Sequence, residues 1–166
     1  EATPETSPSE AASLEASPEG SPSEAAAPGF TLRPADDRSL FQSCQVVAYY
    51  GYPDVPVMGV LGTADPETVV AQLLDQAAAY DAVNGDRGVA PALHLIYAVA
   101  QAYETDDGTY LYRMPDELVQ QYLEIAEQHD LLVFLDIQMG HSSVAAELPH
   151  VLPYVANPRV HLALDP

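Results

Sequence analysis

The stretch Leu131-Leu132-Val133-Phe134-Leu135-Asp136-Ile137-Gln138 is apolar at every position until Asp136. A short unbroken run of this kind suits a strand covered on both faces, which is how the strands of parallel sheets read. The flanking sequence agrees. Upstream, Pro115-Asp116-Glu117 opens a helix whose Leu118, Val119, Tyr122, Leu123 and Ala126 form an apolar stripe at helical spacing. Downstream, Ser142 or Ser143 starts a shorter helix that Pro149 and Pro153 are expected to break up, and Val160 to Leu164 reads as the next strand.

The alternation continues toward the N-terminus. Val46 to Tyr50 is β-branched and aromatic, reads as the first strand and is ended by Gly51. Asp65-Pro66-Glu67 combines an N-cap Asp with Pro at the first helical position. Val69, Val70, Leu73, Leu74, Ala77 and Ala78 then form one face before Asn84-Gly85 ends the helix. Pro91 to Ala100 holds the second strand. A βαβαβαβ order implies an α/β fold with a parallel sheet and right-handed crossovers.

Two parallel architectures compete. A doubly wound open sheet usually carries a phosphate-cradling glycine loop after its first strand, and Gly51, Gly59 and Gly62 form neither G-x-G-x-x-G nor a P-loop. Polar residues close the apolar strands at their C-terminal ends, where barrel active sites lie. The expected fold is therefore a parallel (β/α) barrel. A complete one needs roughly 250 residues, so these 166 residues are expected to hold about its first four strands, with the rest beyond residue 166. The first and fourth strands would then be open edges, and open edges invite self-association.

The chain divides at about residue 38. Residues 1–28 are almost entirely Glu, Ala, Ser, Thr and Pro, with Leu14 the sole large apolar side chain. Such a stretch cannot bury enough surface to offset its ordering entropy, so residues 1–38 read as a disordered tether and 39–166 as the domain. Tethers of this composition commonly follow a cleaved signal or a lipidated Cys in exported bacterial proteins. The expected location is thus extracellular or attached to the cell envelope, with a lipid anchor upstream of residue 1. A disordered cytosolic tail is the alternative.

The formal charge is −20, from 25 acidic residues against five Arg and no Lys. Eight of the acids fall in residues 1–38 and 17 in the remainder, so the domain is acidic in its own right. Nucleic acid and anionic membranes need a cationic face, and neither is expected as a partner. No 18-residue apolar stretch spans a membrane. The single Cys, Cys44, begins an apolar run and reads as a small buried hydrophobe.

Several segments carry a resemblance: Val47-Ala48-Tyr49-Tyr50-Gly51, Met58-Gly59-Val60-Leu61-Gly62, Pro91-Ala92-Leu93-His94-Leu95-Ile96, Leu135-Asp136-Ile137-Gln138 and His161-Leu162-Ala163-Leu164-Asp165-Pro166. Together, over about residues 45–166, they resemble the N-terminal half of an uncharacterised family of exported or lipid-anchored bacterial proteins, itself similar to glycoside-hydrolase-type TIM barrels. The resemblance implies the barrel fold, a comparable length of barrel to follow, and the compartment. It implies no particular reaction.

Candidate chemistry sits at the strand ends. Asp136 and Gln138 share the parity of Leu132 and Phe134, and Asp165 shares its face with Ala163 and His161. Neighbouring strands lie about 4.8 Å apart, so the two acids fall within the roughly 5 to 9 Å separation of paired glycosidase carboxylates. Asp136 and Asp165 are therefore the candidate catalytic acids, with hydrogen bonding to loop amides as their structural alternative. Tyr49, Tyr50, Gln138, His141 and Tyr110 are candidate substrate-binding residues, the tyrosines because their faces stack on planar or sugar ligands. The lack of Trp weighs against carbohydrate. His94 and His161 read as buried structural histidines. With no His-x-His or other close ligand spacing, neither a metal nor an organic cofactor is expected. The expected function is hydrolase-like action on a glycan or related small polar molecule; the alternative is a non-catalytic envelope protein that binds a ligand or partner on a barrel scaffold.

Overall fold

The computed structural model describes residues 39–166; the expected tether, residues 1–38, lies outside the described residues. The described chain is an α/β domain with strands β1 (Cys44–Gly51), β2 (Gly88–Ala100), β3 (Leu111–Arg113), β4 (Leu132–Gln138) and β5 (Val160–Asp165), and helices α1 (Leu40–Ser43), α2 (Pro66–Asp81), α3 (Asp116–Gln128) and α4 (Val144–Val155). Strands β1, β2, β4 and β5 pair in parallel in that order. β3 pairs antiparallel with the end of β2, Val99 opposite Tyr112. Sequence reasoning missed this fifth strand, because three residues inside a polar loop give no periodicity to read.

The helices form for the reasons their sequences suggest. The Asp65 side chain caps α2 by accepting from Thr68 N at 3.0 Å, and Val69, Val70, Leu73 and Ala77 form its buried face. α3 buries Val119, Tyr122, Leu123, Ile125 and Ala126. At the start of α4 the Ser143 hydroxyl accepts from Ala146 N at 3.3 Å. The expected break in this helix does not occur: α4 runs unbroken through Pro149 and Pro153. Each proline removes one backbone rung, but the two are four residues apart and exposed on the same side. Val151 is buried, and Leu148, Tyr154 and Val155 pack against the core, so tertiary packing holds the helix.

One apolar cluster joins Val69 and Leu73 of α2, Val119 and Ile125 of α3 and Val151 of α4 to Leu93, Leu95, Val133 and Leu135 of the sheet. The three long helices therefore cover one sheet face. Strand order follows chain order with no reversal, unlike a doubly wound sheet, whose ligand crevice lies where the order reverses. The sheet does not close, and β1 and β5 are its edges among the described residues. Opposite the helices, Leu40 of α1 packs with Cys44, Ala90, Ala92 and Leu132 over the N-terminal half of the strands. The C-terminal half of that face is uncovered by any of the three long helices.

The glycines after β1 do something other than cradle phosphate. Gly51 and Gly59 take φ values of 151° and 122°, and a Cβ on Gly59 would strike the Tyr50 carbonyl oxygen and Gly51 Cα. They let the 56–62 segment fold back against the end of β1, a close approach open only to glycine.

Candidate functional site

The uncovered face is organised by register. Tyr50 is opposite His94, His94 opposite Phe134 and Phe134 opposite His161, so one level of the sheet carries four rings across four strands. Tyr50 meets His94 edge to face with centroids 5.0 Å apart; His94 and Phe134 lie 5.6 Å apart, and Phe134 stacks on His161 at 5.2 Å. The rings form an aromatic floor that carries two imidazoles. Neither the His94 nor the His161 Nε2, both buried, has a hydrogen-bond partner among the described residues.

Asp136 stands one pleat above this floor on the central strand β4, and is 4% exposed. Its Oδ2 faces His94 Nε2 at 3.7 Å, too long for a hydrogen bond. β2 carries a bulge between Ile96 and Ala98 beside it, a device that often re-aims side chains near sites. Asp165 on β5 is opposite Gln138, and Ala163 is opposite Asp136, so the two acids are diagonal neighbours on one face. Strand spacing and rise put their Cα atoms about 8 Å apart.

Burial pushes the Asp136 carboxyl above the usual aspartate range. His94 opposes the shift, Asp165 adds to it, and the Tyr50 hydroxyl and the Ile137 amide oppose it. Burial holds His94 below its ordinary value against the pull of Asp136, and burial alone lowers His161. Tyr50 is raised by burial and then by the two acids. The result is a carboxyl that resists ionisation beside an imidazole that resists protonation.

The other sequence candidates divide into groups. The Gln138 side-chain oxygen accepts from Ala100 N at 2.7 Å, closing the sheet where β2 and β4 part. Tyr49 points to the helix-covered face, where its hydroxyl donates to Gln72 O at 3.3 Å, and so stands apart from Asp136. Tyr110 and His141 come together, ring centroids 4.0 Å apart, with His141 N donating to Thr109 O at 2.8 Å. Tyr110 sits at φ 59°, a conformation that costs a non-glycine residue about 1 kcal/mol or more.

Sequence reasoning missed the charged clasp beside these loops. Arg113 of β3 grips Glu147 of α4 with two bonds of 2.8 Å, Nε to Oε2 and Nη2 to Oε1, and Nη1 reaches Asp107 Oδ2 at 2.6 Å. The Ser142 hydroxyl also donates to Glu147 Oε1. Glu147 is 1% exposed. Arg113 is the main reason its carboxyl lies below the usual glutamate range, against the effect of burial. A shallow hollow of about 440 Å³ opens beside the clasp between Tyr103, Tyr112 and Arg113. The one available signal was an Arg in a domain nearly devoid of cations, which must serve some of its many acids.

Fold and site together define an open-faced α/β domain whose strands follow chain order and whose uncovered face carries a buried acid. Comparisons of the chain with protein-family models, curated proteins and solved structures found no match. No helix among the described residues is long and apolar enough to cross a membrane.

Proposed function

We propose that this domain is the first part of a (β/α) barrel and that its uncovered face holds an acid–base site for hydrolysing a glycan or related polar substrate. The observation that carries the reading is Asp136, a carboxyl buried on the central strand with its pKa raised, diagonal to the exposed Asp165. Sequential strand order with the long helices on one face supports the barrel. The open edges of β1 and β5 favour pairing with further strands, in this chain or another copy. The Ser-, Pro- and Ala-rich composition of residues 1–28 supports a place outside the cell or on its envelope.

In this reading Asp136 gives its proton to the leaving oxygen while the carboxylate of Asp165 takes one from the attacking water. With Asp136 as the acid and Asp165 as the base that activates water, these roles imply inversion at the anomeric carbon. Tyr50, Tyr110 and His141 supply substrate contacts, and Gln138 offers its amide N–H groups, its oxygen being held by Ala100. The full chain incubated with an oligosaccharide panel and followed by proton NMR should release sugar of inverted anomeric configuration. Release with retention would contradict the assigned roles. Saturable binding without release would favour the non-catalytic envelope protein instead.

A further inference from the structure

We infer that His94 is the positioning residue of this site, pairing with Asp136 so that carboxyl and imidazole hold a single proton between them. The inference rests on the acid–base reading of Asp136 but is tested without substrate. The geometry supplies the reason. His94 is on β2, next to β4, and its Nε2 has no hydrogen-bond partner among the described residues although it is shielded from water. Among the described residues the one acid that Nε2 faces is Asp136, whose Oδ2 lies at 3.7 Å. A buried polar atom without a partner is costly, and a closure of under 1 Å would turn this contact into a hydrogen bond.

The rings frame that closure. Tyr50 packs edge-on against His94 from β1, and Phe134 backs it from β4. The two rings flank the imidazole on either side, and the carboxyl lies one pleat above it. With Asp136 protonated, its O–H can donate to Nε2. Once Asp136 has given its proton to a leaving oxygen, the carboxylate can accept from Nε2–H of the other His94 tautomer, the tautomers exchanging through solvent. Asp136 then regains a proton from solvent as Asp165 releases the one it took from the attacking water. The titratable groups on this face are Tyr50 on β1, His161 and Asp165 on β5, and the pair itself; of these Tyr50 and Asp165 act on Asp136, and His161 on neither member. No Lys or Arg side chain makes an ion pair or hydrogen bond with them among the described residues.

The test is a proton NMR titration of the histidine rings in the whole chain, comparing wild type with Asp136→Asn. Asp136 supports the charged form of His94, so its loss should move the His94 midpoint lower still. His161, shifted by burial alone, should not move and serves as the control for local unfolding. An unmoved His94 would overturn the pairing, as would equal movement of both rings. If the panel yields a turnover, His94→Phe should shift the pH profile of kcat/KM. A silent panel alongside a displaced His94 would count against the hydrolase reading while leaving the pairing intact.

Discussion

Asp136→Asn is expected to cut turnover on any responsive glycan by about 10² to 10⁴, the usual range for loss of a general acid, while leaving the fold at least as stable as wild type at neutral pH. The second half follows from linkage. The folded state raises the Asp136 pKa, so across the interval from the ordinary aspartate value to the raised one the native protein binds more protons than the unfolded chain. Stability contributed by Asp136 is therefore present at low pH and lost as pH rises through that interval. An amide cannot ionise and escapes the loss. Thermal melts of both proteins from pH 3 to 8 should show the variant gaining on wild type as pH rises. A variant that loses both activity and stability at pH 7 would mark Asp136 as a structural acid.

Arg113→Met should have the largest effect on folding. It leaves Glu147, 1% exposed, without its bidentate partner, and stranding one member of a buried pair costs about 3 to 5 kcal/mol. Urea unfolding is the measurement. A double variant, Arg113→Met with Glu147→Leu, should recover much of the loss, because two apolar groups of similar volume leave no buried charge. The low pKa of Glu147 adds a pH signature with the opposite sign to Asp136. Its contribution is present above the ordinary glutamate value and lost as pH falls through the lowered one. A change under about 1 kcal/mol in the single variant would show that the clasp contributes no more than an exposed ion pair.

The strands β1, β2, β4 and β5 and the helices α2 and α3 were legible because each is a long periodic or unbroken apolar segment bounded by Pro, Asp or Gly. Parity along β4 likewise put Asp136 and Gln138 on one face, since a strand has only two; that Asp165 of β5 shares this face follows from the register that sets it opposite Gln138. The same rule could have separated Tyr49 from Tyr50, whose opposite parities send one to α2 and the other to Asp136. What was illegible depended on register between strands. The ring row of Tyr50, His94, Phe134 and His161 arises from pairings across stretches of chain that share no local signal. Arg113 and Glu147 meet over 34 residues for the same reason. The breaking power of Pro149 and Pro153 was overestimated because propensity counts lost rungs and ignores the packing of Val151 and its neighbours.

In the folded protein Asp136 is expected to keep its proton beyond the ordinary carboxylate range. A carbon-13 titration of its side-chain carboxyl, assigned by its disappearance in Asp136→Asn, measures this directly. The expected result is a midpoint above the unperturbed 3.8, with a second inflection where His94 titrates. A single transition at or below 3.8 would show an ordinary carboxylate there, with no proton to give.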